Sequence, residues 1–163
     1  MLIIACVFAL GAAAGGCRAA YGVDPERNPD AAAKTPGFWR AELRTGLGAI
    51  APERYILEFD GTDAWIEAAN ARGGMGTEQW SRRLQIAEYE NFVLQALAMQ
   101  PYTWSDRKTR NSAPGETLKL DFRIGERGRN VVIESPDATE RLILERLRFL
   151  AGRPSAAAEP MSK

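Results

Sequence analysis

Four carboxylates lie close together in the sequence, Glu58, Asp60, Asp63 and Glu67. Carboxylate oxygens bind Ca²⁺, and two neighbouring carboxylates push their pKa values apart, so that one can act as a general acid and the other as a base. Gly61 predicts a tight turn between them, and an exposed turn is also an ordinary place for acidic residues. The pattern is therefore compatible with a small carboxylate-dependent hydrolase or glycan-acting enzyme that uses Glu58, Asp60 or Glu67.

Histidine is absent from the sequence, which excludes several familiar catalytic arrangements. Ser-His-Asp and Cys-His nucleophiles need its imidazole, and so do the usual zinc sites. A Walker loop and the GxGxxG, HExxH and GxSxG motifs are missing as well. We therefore expect no cofactor and no metal, assign no catalytic residue, and favour a non-enzymatic protein over the hydrolase.

A polar stretch from 101 to 116 brings aromatic and basic side chains together. Its candidate contact residues are Tyr102, Trp104, Arg107, Lys108 and Arg110. Such a loop suits anionic lipid headgroups, a glycan or a partner protein, whereas aromatic side chains that point inward would leave an ordinary solvated loop. A connection of this length without evident structure is uncommon, which makes it the best candidate contact surface in the sequence.

The stretch from Met1 to Cys17 is an uninterrupted apolar run that ends in small residues and a cysteine. At about 1.5 Å per residue, a helix of this length is too short to span a hydrocarbon core of roughly 30 Å. An apolar segment that ends in small side chains is typical of an export signal, because the peptidase needs a narrow approach to the cleavage site.

The last four residues of this run, Ala14-Gly15-Gly16-Cys17, resemble the lipobox of bacterial lipoproteins. The resemblance implies that residues 1–16 are a signal peptide and that Cys17 is the lipid-bearing first residue of the mature protein, with diacylglycerol on its sulfur and a fatty acyl chain such as palmitate on its amino group. It also implies anchoring to a membrane of the cell envelope. Arg18 follows the cysteine where some bacteria read an Asp as an inner-membrane retention signal, and therefore favours the outer membrane if the organism has one.

Cleavage after Ala12-Ala13-Ala14, at an ordinary A-x-A site, is the alternative. It would give a soluble secreted protein with Cys17 as a free thiol. Cys6 leaves with the signal in either case, so we expect no internal disulfide in the folded domain. Lys and Arg together number 21, as do Asp and Glu, and this balance gives no electrostatic reason to bind nucleic acid.

Residues 17–34 are expected to be the lipidated cysteine and a flexible tether. This segment has prolines, alanines and scattered charges, and too little apolar surface to offset the entropy of ordering it. As a coil, its ends would lie about 25 Å apart, enough to lift a small domain clear of lipid headgroups. Residues 35–152 are then a single domain, and residues 153–163 an Ala-rich tail that we expect to be disordered.

Two hairpins and two long helices are expected to position the candidate groups. Strands are predicted at Arg54 to Asp60, Ala64 to Ala69, Thr117 to Ile124 and Asn130 to Glu134. Helices are predicted from Thr77 to about Gln100 and from Ser135-Pro136-Asp137 to Gly152, the second with a capping box formed by Asp137 and Glu140.

A short helix is also predicted to begin at Thr35-Pro36, because Trp39, Leu43, Leu47 and Ile50 recur at helical spacing. It would cover one edge of the core. The alternative is that Phe38 and Trp39 touch a membrane or a partner protein.

These elements predict a fold of the α+β class. It is a two-layer sandwich of about four antiparallel strands in the order β-β-α-β-β-α, with the helices on one face and the short helix at the N-terminal end. The expected function is that of a membrane-anchored envelope lipoprotein whose domain is a binding, adaptor or assembly module for an envelope protein or a glycan. The alternative is the carboxylate-dependent hydrolase.

Overall fold

In the computed structural model of the chain, the structure describes residues 23–46, 51–70, 78–108 and 115–152. These residues form one six-stranded antiparallel sheet and three α-helices. The elements in chain order are α1 Pro29–Ala33, β1 Gly37–Thr45, β2 Glu53–Phe59, β3 Ala64–Ala69, β4 Gln79–Leu84, α2 Ile86–Ala98, a short 3-10 helix Pro101–Thr103, β5 Glu116–Ile124, β6 Arg127–Glu134 and α3 Ala138–Ala151. The strand order across the sheet is β4-β3-β2-β1-β5-β6.

The predicted four-stranded β-β-α-β-β-α sandwich is wrong, because two segments predicted as helix are strands. The short N-terminal helix is β1, in the middle of the sheet, and the first turns of the predicted long helix are β4. Both segments carry apolar residues four positions apart, Trp39 and Leu43 in β1 and Trp80 and Leu84 in β4. A spacing of four fits a helix and a strand equally well, because it is close to one helical turn and is also a multiple of two.

Strand β1 is fixed by pairing on both of its sides. It pairs with β2 through seven residue positions and with β5 through nine. Trp39, Ala41 and Leu43 consequently lie on the covered face of the sheet, and all three are buried. Backbone hydrogen bonds to two neighbours outweigh the modest helix propensity of this segment.

The core lies between one face of the sheet and the helices. Trp39 stacks on Phe122 of β5 with ring centroids 4.4 Å apart and planes at 7°. Phe92 of α2 meets the same indole edge-on at 5.3 Å. Aromatic pairs of this kind contribute about 0.5–1.5 kcal/mol beyond their buried area, so this trio is the centre of the packing between α2 and the sheet.

Helix α3 packs on the same face and is fixed at both ends. The predicted capping box is confirmed, since Asp137 accepts from the Glu140 amide at 2.9 Å and Glu140 accepts from the Asp137 amide at 2.8 Å. At the other end, the Arg82 guanidinium of β4 donates to the carbonyl of Leu150 at 2.7 Å. A cation at the last turn complements the negative end of the helix dipole.

A second arginine closes the opposite edge of the sheet. Arg129 of β6 donates to the carbonyl of Trp104 at 2.5 Å. In the pairing register, Arg82 and Arg129 are the two ends of a row that crosses the covered face through Trp39. Each edge of the covered face therefore ends in a guanidinium that donates to a backbone carbonyl.

The chain from Val23 to Lys34 is folded against the domain, unlike the flexible tether predicted there. Asn28 caps α1 by accepting from the Ala31 amide at 3.1 Å, and Ala32 and Ala33 are buried. Alanines allow the short helix to approach the core closely, so it is ordered with little apolar area. The predicted signal peptide, Cys17 and the tail 153–163 lie outside the described residues.

Candidate functional site

The sheet presents a second face that the described helices do not cover. Its side chains are half-buried or exposed, whereas most positions of the covered face are buried. Near one end of this open face, five residues on five strands lie in a single register row. In order across the sheet they are Arg83, Trp65, Glu58, Phe38 and Arg123. At about 4.8 Å between neighbouring strands, this aromatic row spans roughly 19 Å.

Glu58 is the centre of the aromatic row. It lies directly opposite Phe38 on one side and Trp65 on the other, so its carboxylate has an aromatic neighbour across each strand pair. Among the described residues, Glu58 has no hydrogen-bond or ion-pair partner. Part of its side chain is shielded from water, which strengthens its attraction to any cation that approaches.

A shallow depression of about 340 Å³ opens at this point, a volume near the lower end for small-ligand sites. Four of its lining residues belong to the aromatic row, Phe38, Glu58, Trp65 and Arg123. The remaining lining residues come from the strand ends and turns, and are Pro36, Gly37, Phe59, Asp60 and Gly125. The aromatic row therefore contributes two aromatic side chains, one unpartnered carboxylate and one guanidinium to the depression.

Gly37 sets how closely β1 and β5 approach at the edge of the depression. A Cβ atom at this position would lie 2.4 Å from the carbonyl oxygen of Arg123 and 3.2 Å from the Cα of Ile124. The following residue is Phe38, so the absence of a side chain at Gly37 fixes the position of the first aromatic residue of the row.

The two arginines at the ends of the aromatic row are held differently. Arg83 forms an ion pair with Asp63, so its charge is already neutralised within the chain. Arg123 donates from Nε to the carbonyl of Gly125 at 2.8 Å and has no ion-pair partner among the described residues. Its terminal nitrogens are therefore available beside Phe38.

The four predicted carboxylates do not converge into an acid–base pair. Asp60 accepts from the Thr62 and Asp63 amides at 2.7 and 2.8 Å and from the Thr62 hydroxyl, and these bonds lower its pKa, the direction opposite to that needed by a general acid. Glu58 and Glu67 are diagonal neighbours on the open face, a placement that corresponds to about 7–8 Å between backbones.

Glu67 lines a separate groove of about 400 Å³ on the far side of Trp65. In the described ranges no group of three carboxylate, cysteine or histidine side chains is arranged to hold a metal ion. The calcium interpretation of this hairpin consequently gains no support.

Three of the predicted contact residues in the 101–116 loop instead make contacts within the folded domain. Tyr102 packs edge-on against Phe122 at 4.8 Å, and Trp104 is half-buried against the core. Arg107 donates to the carbonyl of Ser135 at 3.0 Å and pairs with Glu140 at 2.5 Å. The loop runs along the edge of β6, where the Arg107 amide donates to the carbonyl of Val132 at 3.0 Å.

Lys108 is exposed, while Arg110 lies outside the described residues. Among the described members of these five predicted contact residues, Lys108 is therefore the one whose charge points to solvent.

The aromatic row was not predicted as a site. Trp39 of the Phe38-Trp39 pair is core, and only Phe38 faces outward. The signal was the presence of Phe38 and Trp65 among charged residues on the polar side of their strands. This pattern can be recognised only once both segments are assigned as strands, because a helical assignment of Phe38 hides the alternation of polar and apolar residues.

Cys17, the predicted lipidation site, lies outside the described residues. Across the parts of the chain that the structure describes, no helix combines the length and the apolar character needed to cross a membrane. The sequence matches no protein-family model and shows no significant similarity to a curated protein.

Proposed function

We propose that this protein is a membrane-anchored lipoprotein of the cell envelope, held by lipid on Cys17, whose domain is a non-enzymatic binding module. The proposed binding role rests on the aromatic row on the open sheet face. Two half-buried aromatic side chains flank a carboxylate that has no partner in the described chain. Aromatic surface beside an unpaired carboxylate on an uncovered face offers both apolar and charged contacts to a ligand or partner.

Support for the anchor comes from the sequence of the first seventeen residues. Lipid on Cys17 would hold the module on a membrane, with the outer membrane favoured by Arg18 where the organism has one. The soluble secreted form, cleaved after Ala14, is the alternative. An envelope protein or a glycan remains the class of partner expected from the sequence.

The hydrolase interpretation is the weaker proposal. It requires two carboxylates in an enclosed pocket, one of which stays protonated near neutral pH. Glu58 and Glu67 instead occupy neighbouring shallow depressions of an open face, and the pKa of Asp60 is lowered. A binding role uses the same residues without these requirements.

The anchor is tested by metabolic labelling with a fatty-acid precursor. Cells expressing the full chain are expected to incorporate label, and Cys17→Ala is expected to lose it and to accumulate unprocessed protein. The matched control is Cys6→Ala, which removes the other cysteine and is expected to label like the wild type. Absence of label from the wild-type protein would exclude lipidation and leave the secreted form.

A further inference from the structure

We propose that the depression at Glu58 binds the ammonium group of a zwitterionic lipid headgroup in the membrane that anchors the chain. The location of this ligand depends on the proposed function, whereas the preference for an ammonium group depends only on the described residues. The inference uses the charge that is left unpaired, the aromatic neighbours of Glu58, and the position of the depression relative to the start of the folded chain.

Among the residues that line the depression, Glu58 carries a negative charge that no described residue pairs. Asp60 also lines the depression, and one of its two carboxylate oxygens, Oδ1, accepts three hydrogen bonds from its own turn. Arg83, which follows Trp65 in the aromatic row, is neutralised by its ion pair with Asp63. Among the described residues, Glu58 is thus the carboxylate of the depression that makes no hydrogen bond or ion pair, and a cation beside it displaces no described group.

The aromatic neighbours make an organic cation preferable to a metal ion. A metal ion needs several oxygen ligands, and the described residues offer no such group here. A substituted ammonium ion is instead attracted to the faces of aromatic rings, and Trp gives the strongest of these interactions. Trp65 and Phe38 lie on either side of Glu58, so one ammonium group can contact a ring while its charge is balanced by the carboxylate.

Arg123 supplies the complementary contact for a zwitterion. It follows Phe38 in the aromatic row and also lines the depression. Its terminal nitrogens can donate to a phosphate oxygen, which guanidinium groups bind with good geometry. Ammonium at Glu58 and phosphate at Arg123 would be the two charged groups of phosphoethanolamine or phosphocholine, with Phe38 between the two residues in the row.

The depression lies at the end of the sheet where the folded chain begins. Asp24 pairs with Arg127 at 2.5 Å, and the Gly125 amide of the same turn donates to the carbonyl of Pro36 at 2.9 Å. Pro36 and Gly125 both line the depression.

A lipid on Cys17 would be separated from Val23 by six residue steps. These steps span at most about 20 Å however the residues are arranged, because a residue extends the chain by no more than about 3.6 Å. A membrane held through Cys17 is therefore close to this end of the open face, which places headgroups within reach of the depression.

The first experiment needs no membrane. The full chain in non-ionic detergent is titrated with O-phosphoethanolamine, and the tryptophan emission of Trp65→Phe is subtracted from that of the wild type to isolate Trp65. We expect a saturable change, weakened about two- to fivefold by Glu58→Gln, in keeping with one exposed charge contact. Phe38→Ala is expected to weaken binding by a similar factor through loss of a cation–π contact.

Matched controls lie on the opposite, helical layer. Glu145→Gln removes an exposed carboxylate from α3, and Phe149→Ala removes an aromatic side chain that is 79% exposed. Both are expected to bind O-phosphoethanolamine like the wild type. No saturable change in the wild type, or equal weakening by Glu145→Gln and Glu58→Gln, would overturn the ammonium site. Displacement of O-phosphoethanolamine by a neutral disaccharide at lower concentration would also overturn it, in favour of a glycan site.

The second experiment tests the lipid source. The full chain is reconstituted in vesicles of phosphatidylethanolamine and phosphatidylglycerol or of phosphatidylglycerol alone, and acrylamide quenching of Trp65 is measured by the same subtraction. Lower quenching in the first lipid mixture, lost in Glu58→Gln, supports the proposal. Equal quenching in both, together with binding of free O-phosphoethanolamine, overturns the lipid source. The titration with O-phosphoethanolamine does not depend on whether Cys17 is acylated, and the vesicle comparison uses protein that the labelling experiment shows to be acylated.

Discussion

Arg148 of α3 holds the carboxylate of Glu53, the first residue of β2, through two hydrogen bonds of 2.6 Å each. The Tyr55 hydroxyl donates a third bond of 2.6 Å to the same group. Burial, and next the Glu53 carboxylate, raise the pKa of Tyr55 well above its usual value, so the hydroxyl remains a donor at any physiological pH. This cluster fastens the last helix of the chain to the second strand of the sheet.

Replacing Arg148 is expected to destabilise the fold strongly. Arg148→Met leaves Glu53, which is only 7% exposed, with the Tyr55 hydroxyl as its remaining partner among these groups. Loss of a partner from a buried carboxylate costs about 3–5 kcal/mol when both groups are buried, and we expect about 2–3 kcal/mol here because the Arg148 side chain is 42% exposed. Urea denaturation followed by circular dichroism measures the change.

The control for this prediction is Arg146→Met, on the exposed surface of the same helix. It is expected to change the free energy of unfolding by less than about 0.5 kcal/mol. Adding Glu53→Gln to Arg148→Met should recover part of the loss, since no buried charge is then left unpaired. If the two single arginine variants unfold at the same urea concentration, the cluster has no stabilising role.

Gly37→Ala is expected to separate β1 from β5. The new Cβ would clash with backbone atoms of Arg123 and Ile124, which cannot move aside as a flexible side chain can. Overpacking of this kind costs about 1–3 kcal/mol. Gly115→Ala is the matched control, because no described atom lies within 4 Å of its Cβ position, and it should be neutral or slightly stabilising. Equal unfolding midpoints for the two variants would contradict the close approach.

Arg107 and Lys108 are expected to behave differently although both were predicted as contact residues. Arg107→Ala removes hydrogen bonds to the carbonyls of Glu134 and Ser135 and an ion pair with Glu140, and should lower the free energy of unfolding by about 1–3 kcal/mol. Lys108→Ala should stay within about 0.5 kcal/mol of the wild type. Unchanged stability in both variants, with weaker binding to anionic vesicles in both, would restore the loop as a contact surface.

Acid is expected to weaken the start of α2. The Gln85 amide donates to Glu88 at 2.9 Å, and this bond, followed by Arg82, lowers the pKa of Glu88 below its ordinary value of 4.5. The folded pKa is depressed, so the stabilisation is complete above 4.5 and is lost as the pH falls through the folded value. Thermal unfolding between pH 6 and 3 should show a steeper loss in the wild type than in Glu88→Gln. Glu90→Gln on the same helix is the control, and a parallel loss in all three proteins would contradict the prediction.

The parts of the fold that follow from local pattern were predictable. Strand β5 alternates Leu118, Leu120 and Phe122 with charged residues, and its hairpin with β6 lies where the sequence indicates. The capping box of α3 was predicted from two residues three positions apart. In each case the decisive interaction is between residues close in sequence.

The parts that depend on distant pairing were not predictable in the same way. Ala41 is buried between Trp39 and Leu43, but an alanine gives little indication of the two-residue alternation of a strand. Segment β1 is a strand because β5 pairs with it from far along the chain. The same applies to α1, where alanines are ordered by contact with a core that the segment itself does not reveal. The aromatic row needs five strands in register, so no single segment contains it.

The two arginines at the ends of the covered face, Arg82 and Arg129, bear on aggregation. An exposed strand edge is a template for further strands, and inward-pointing charges are one of the devices by which natural sheets resist this growth. Arg82 on β4 and Arg129 on β6 each donate to a backbone carbonyl that would otherwise lack this donor. A strand added beyond β4 would have to cover the Arg82 guanidinium, and one added beyond β6 would have to displace the Arg107 backbone, which already pairs with Val132 and Glu134. We therefore expect both edges of this sheet to resist fibrillar extension.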